Sequence, residues 1–284
     1  MKTPAPFIAT ACLASLAAVA QAQTEPLEND LQKGPTDVLF SGELLNKDYD
    51  QGVIRNDNVT AHAGLTARIF DIGLHVDDYM AMGGDSRQPR PVKSGETIEF
   101  TAGIDYLIEM TGVFQLLPHY QWESYPNLPK QPYKDQQHWI GADGWWELPW
   151  QGVETGFGFD YNPFYNGEEN KYRGGGGFAG HTLRAALGAR EFFQHTPIDL
   201  AFWETLNFGN AEYKNFLLGN QHTGFTTFDL GAKYTAPFYI NEWWTVLRLE
   251  AHYWLERRDR DILHAAGSST TEIIIGFGFE WIPD

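Results

Sequence analysis

Five basic and nine acidic side chains recur at alternate positions of otherwise small or apolar segments, and that spacing decides what chemistry they can do. They are Arg68, Arg184, Arg190, Lys233 and Arg248, with Glu99, Asp105, Glu109, Glu154, Asp160, Asp229, Glu250, Glu272 and Glu280. In an extended chain, residues two apart point to one side, so these groups gather on one face of whatever sheet the segments build. Charges of both signs facing a common space can sort solutes by size and sign. They can equally pair with one another and fill the space so that nothing passes. The acidic excess tilts a passage toward cations, while Arg184 and Arg190, six residues apart on one segment, pull locally the other way.

Nucleophilic chemistry is the rival. His62, His75, His119, His181, His195 and His252 offer bases, and Ser41 offers a hydroxyl. A lipid-modifying enzyme needs a nucleophile, a base and an orienting group together, yet no G-x-S-x-G occurs and no Ser/His spacing selects a pair. The run 171 to 177, KYRGGGG, lacks the Lys-Ser/Thr ending of a phosphate-binding loop. Asp259, Asp261 and the acids of 47 to 57 could attract divalent cations, but neither an EF-hand loop nor H-E-x-x-H is present. The sequence thus predicts no enzyme and no cofactor.

The elements that must carry these charges are strands. In 271 to 281, TEIIIGFGFEW, one side is Thr271, Ile273, Ile275, Phe277, Phe279 and Trp281, and the other is Glu272, Ile274, Gly276, Gly278 and Glu280. The segments 59 to 70, 97 to 109, 152 to 162, 181 to 191, 228 to 234 and 245 to 255 alternate in the same way. Leu107 breaks the polar side of its segment. Rougher candidates lie near 37 to 46, 71 to 81, 113 to 123, 139 to 149 and 198 to 208, where Glu204 falls on the apolar side. Short connections alternate with long ones near 47 to 58, 82 to 96, 124 to 138, 163 to 180, 209 to 225 and 257 to 270, the rhythm of an up-and-down meander.

Composition agrees. The 284 residues include 29 Gly, 10 Trp, 13 Tyr and 19 Phe, which suits sheet more than helix. Residues 1 to 22 read as a secretory signal peptide, with Lys2, an apolar run from Phe7 to Ala20 and the small-x-small site Ala20-Gln21-Ala22. Its removal takes away Cys12, the one cysteine, so no disulfide is expected in the exported chain. The net charge of -17 makes nucleic acid a poor partner.

Alternation alone does not distinguish a face turned to lipid from one turned to a protein core. A soluble sandwich would put Leu65, Ile104, Leu187 and Phe277 inside and the charges in water. The signal peptide, the loop rhythm and aromatics near strand ends favour lipid, with Trp139, Trp146, Trp150, Tyr161, Tyr234, Trp243 and Trp281 as candidates for interfacial girdles.

From 37 to 281 the pattern of strands and loops resembles a bacterial outer-membrane β-barrel and, more loosely, small porin-like families. The resemblance implies an all-β fold: a twelve-stranded antiparallel up-and-down transmembrane β-barrel over 37–284, after the signal peptide 1–22 and a flexible leader 23–36. It implies residence in the outer membrane among lipid and lipopolysaccharide, and a last strand whose Phe279 and Trp281 are read by the barrel-assembly machinery. The expected role is a channel for passive diffusion of small hydrophilic solutes, lined by Arg68, Arg184, Arg190, Lys233, Arg248, Glu99, Asp105, Glu109, Asp160 and Glu250. The alternative is a non-conducting barrel serving as a scaffold or a lipid-modifying enzyme.

Overall fold

The computed structural model describes residues 36–50, 53–83, 92–111, 114–127, 136–148, 153–162, 176–188, 199–219, 222–237, 243–266 and 268–281. The expected signal peptide, the leader before Thr36, and Trp150, Arg190 and His195 lie outside them. In chain order the strands are β1 (Thr36–Leu45), β2 (Asp48–Asp50), β3 (Val53–Asn56), β4 (Thr60–Ile69), β5 (Ile72–Ala81), β6 (Thr97–Tyr106), β7 (Ile108–Thr111) and β8 (Phe114–Ser124). Then come β9 (Gln136–Glu147), β10 (Val153–Asn162), β11 (Gly176–Gly188), β12 (Asp199–Gly209), helix α1 (Ala211–Leu218), β13 (Gly224–Pro237), β14 (Trp243–Trp254), helix α2 (Arg257–Ala265) and β15 (Thr271–Trp281).

Thirteen strands form one sheet in the order β6-β5-β4-β1-β15-β14-β13-β12-β11-β10-β9-β8-β7, with β6 also pairing with β8, while β2 and β3 form a separate pair. This corrects the twelve-stranded barrel expected from the sequence. The segment 97 to 109 is two strands, because the chain breaks at Leu107, the residue that spoils the alternation, and its N–H bonds instead to the Asp71 carbonyl at 2.7 Å. The connection 47 to 58 contains the β2–β3 hairpin, and those at 209 to 225 and 257 to 270 contain the two helices rather than loops. β11 begins at Gly176, inside the stretch expected to be loop.

The sheet has an inverted distribution of polarity. Along β15, Ile273, Ile275, Phe277 and Phe279 are each about half exposed, while Glu272, Ile274 and Glu280 are buried. Among the described residues 22 buried side chains are polar or charged against 14 hydrophobic, and 29 large hydrophobics are exposed. Leu65, Ile104 and Phe277 are among the exposed set, against the soluble sandwich; the side chain of Leu187 is outside the described ones. Each half-exposed side chain gains roughly 1 kcal/mol on leaving water, so hydrocarbon against this face is worth on the order of 30 kcal/mol, more than the ~5–15 kcal/mol stability of a typical fold. Eleven residues in β15 give about 36 Å of strand, and a tilt near 40° brings that close to the ~25 Å apolar band of a membrane sheet.

Aromatic clusters mark both ends of the exposed face. At the short-turn end Phe40 lies 5.2 Å from Trp281, Trp243 lies 5.1 Å from Phe279, and Trp146 stacks on Phe114 at 4.4 Å. Toward the long connections Phe100 meets Trp122 at 5.9 Å and Phe208 meets Phe225 at 6.0 Å. Trp139 is not part of either cluster: it is buried on the sheltered face, edge-on to Tyr213 of α1 at 6.3 Å. Glu204 keeps the exposed-face parity of Phe202; the bulge opposite Leu206 and Phe208 lies beyond it and falls on β13, where Thr226 and Thr227 are both buried.

An apolar core of Leu45, Tyr79, Ala81, Val92, Ile98, Tyr125 and Ile274, joined by Tyr49, sits at the long-connection end. α1 packs nearby. Asn210 caps it by accepting from the Tyr213 N–H at 2.8 Å, and Gly219 ends it with a φ of 67°, a left-handed turn that glycine makes without strain. Lys214 of α1 is fully buried and donates to Asp259 at 2.7 Å and to the Phe225 carbonyl at 2.7 Å, with Glu256 at 3.0 Å, so it ties both helices to the sheet.

Candidate functional site

The sheltered face carries two charged arcs. On the first, formed by β4 to β10, Arg68 Nη2 lies 2.8 Å from Asp105 Oδ1, two strands away. Gly73 stands between them in register, and the absence of a side chain there lets the pair meet over the intervening strand. His119 is built on the same plan: Nε2 is 2.7 Å from Asp160, Nδ1 is 3.4 Å from Asp143, and Gly141 lies beneath. His62 Nε2 pairs with Asp77 at 2.8 Å and its ring stacks on Tyr79 at 4.4 Å. His75 lies buried over Gly103. Glu99 accepts from the Thr101 hydroxyl at 2.8 Å, and Glu123 accepts from Gln121 at 2.7 Å and the Tyr125 hydroxyl at 2.5 Å.

The second arc, on β12 to β15 and β1, is a chain of contacts. Arg248 reaches Glu43 at 3.2 Å, across Gly276, and Glu250 at 3.5 Å. His252 continues it, 3.1 Å from Glu250 and 2.9 Å from Asp229, and Asn207 donates to Asp229 at 2.5 Å. Lys233 pairs with Glu280 at 2.6 Å, and Lys47 with Glu272 at 2.6 Å. Tyr49 of the short hairpin stacks on His252 at 4.0 Å. A low-dielectric wall makes each of these pairs stronger than it would be in water and makes removal of one partner costly.

Of the residues expected to line a passage, Arg68, Asp105, Glu99 and Asp160 fall on the first arc, and Arg248, Glu250 and Lys233 on the second. Arg184 stands in register with Glu154 of β10 and Trp203 of β12. Glu109 is exposed on β7, past the break at Leu107, and is not brought to either arc. Arg190 is outside the described residues. The four histidines of the two arcs, together with Glu43, Asp77, Glu123 and Asp143, were not singled out as lining groups. Parity was the available signal, since His62 shares a side with Arg68, and His252 with Arg248 and Glu250.

The nucleophile reading has one geometric trace. A side chain placed on Gly64 would run into Ser41 Oγ, Asp77 Oδ1 and His62 Nε2, so these three groups converge. The His62 atom that reaches this space is Nε2, the nitrogen already paired with Asp77, which leaves no base aimed at the hydroxyl. Among the described residues no group of three or more His, Cys, Asp or Glu is arranged to hold a metal ion.

No protein-family model matches the chain, and no curated protein matches it by sequence. Solved structures are similar in shape. The NanC porin is 7% identical with a TM-score of 0.48, over 86% of this chain and 98% of that one. An outer membrane channel from Pseudomonas putida F1 is 9% identical with a TM-score of 0.48, over 92% of this chain and 100% of that one. OprB of Pseudomonas putida is 8% identical with a TM-score of 0.40, over 87% and 94%. At these identities the likeness is one of shape alone.

Proposed function

We propose that the protein lies in the bacterial outer membrane and passes small hydrophilic solutes, with a preference for cations. The observation that carries this is the inversion of the sheet: an exposed face of half-exposed Ile, Leu and Phe suited to hydrocarbon, backed by a face of charged and polar side chains suited to water. Cation preference follows from the balance of that second face: among the described residues Glu43, Glu99, Glu123, Asp143, Asp160, Glu272 and Glu280 are buried on its strands, against the permanent cations Arg68, Lys233 and Arg248. α1 narrows the long-connection end, because Tyr213 reaches from beside β12 to Trp139 on β9.

The test is a planar bilayer containing the purified, folded protein under a salt gradient. Discrete conductance steps with a reversal potential of cation-selective sign are expected. A folded protein without conductance favours a second reading, a non-conducting membrane scaffold. That reading draws on the apolar cluster around Tyr79 and Ile274 at one end and on the ion pairs that bridge neighbouring strands.

A further inference from the structure

We infer that α2 and the adjoining end of β14 form a docking site for the phosphate of a glycolipid headgroup in the outer leaflet; this rests on the membrane placement proposed above. The helix carries two distinct stripes. Glu256, Asp259 and Leu263, spaced three and four apart, form the inner one: Asp259 and Leu263 are buried, and Asp259 and Glu256 are engaged by Lys214. Glu256 also pairs with His222 at 3.0 Å. Arg257, Arg260 and His264, at the same spacing, form the flank beside it. Glu256 and Asp259 are thus turned toward the protein, while Arg257 and His264 are left outside with Asp261, in a chain whose net charge is -17.

Arg260 fixes where that flank lies. Its guanidinium sits 5.4 Å from the centre of the Tyr253 ring and donates to the carbonyls of Trp254, at 3.0 Å, and Leu255. Tyr253 is 41% exposed and belongs to the apolar face, in line with Leu249 and Leu247. The basic stripe therefore begins where the hydrocarbon-facing surface ends, at headgroup depth. Arg257 is 89% exposed there, opposed only weakly by Asp261 at 3.8 Å, and His264 is exposed one turn along. A planar guanidinium matches a phosphate bidentately, and the continuity of arginine with lipid-facing tyrosine selects a phosphate carried on a lipid over one free in solution.

The test uses the full chain in vesicles of zwitterionic phospholipid doped with lipid A, in its phosphorylated or its dephosphorylated form. Binding is read by energy transfer from a donor on the protein to labelled lipid A, and insertion separately by spin-label accessibility at Phe277. The wild type is expected to bind the phosphorylated lipid about tenfold more tightly than does Arg257→Gln/Arg260→Gln, the loss expected for one charge-assisted contact. It should show no such advantage with dephosphorylated lipid. Arg257→Gln/His264→Gln, which leaves the backbone contacts of Arg260 in place, should fall between. Equal binding by all three proteins, or indifference of the inserted wild type to the phosphates, overturns the site alone. A wild type that does not insert overturns the membrane placement and the site together.

Discussion

The two arcs of the sheltered face solve the same electrostatic problem with different cations. On β4 to β10 the one permanent cation in a described pair is Arg68; the others are His62 and His119, whose charge depends on a bound proton. On β12 to β1, Lys47, Lys233 and Arg248 hold their carboxylates, and His252 extends a chain already anchored by arginine. Three permanent cations offset charge on the second arc within the wall, whereas on the first Glu99 accepts from a hydroxyl and Glu123 from an amide and a hydroxyl. With Arg68 its one strand-borne permanent cation among the described residues, the first arc is where the proposed passage would favour a cation most, and the second is where the wall is held together.

That contrast can be broken most forcefully at Arg248. Arg248→Gln leaves Glu43 and Glu250 facing each other in a sheltered wall, and should cost about 3 kcal/mol, read as a lower urea midpoint in lipid vesicles. Arg68→Gln, which removes the ion-pair partner of one carboxylate, Asp105, rather than of two, should cost clearly less, and equal losses would erase the distinction. Next in size is Gly141→Val, which drives a branched side chain between His119 and Asp160. A loss of about 2 kcal/mol is expected from the overpacking, with Gly95→Val, where a Cβ meets nothing within 4 Å but the φ is 85°, separating crowding from backbone strain. The smallest effect concerns selectivity. Glu99→Gln should lower the cation-over-anion permeability ratio roughly twofold, the equivalent of about 0.5 kcal/mol, while Glu272→Gln, whose charge Lys47 already offsets, should leave it nearly unchanged.

Much of the sheet could be read from alternation. The segment 271 to 281 is β15 residue for residue, and of the side the pattern picked out Thr271, Ile273, Ile275, Phe277 and Phe279 are exposed, with Trp281 partly buried. Leu107 was the one misfit in its segment and is where the strand breaks. What alternation could not supply was anything set by register between strands two apart. No property of Arg68 and Asp105 along the chain pairs them; the pair exists because Gly73 lies between them in the ladder. The helices were hidden for another reason. α1 and α2 are only 8 and 9 residues long, too short for a 3.6-residue period to outweigh polar composition. Their local signals, Asn210 before α1 and Gly219 after it, were nonetheless present.

The contact between β1 and β15 sets a condition on how the molecule is made. Phe40 is in register with Trp281 and Ser41 with Glu280, partners separated by nearly the whole length of the chain. Joining segments that far apart costs loop entropy before any contact rewards it, and folds dominated by such contacts form slowly. β1 has its full set of neighbours only after residue 281 has been synthesised, so it must wait for β15. During that interval its exposed Phe40 and Leu44 would favour aggregation unless a chaperone holds the chain unfolded.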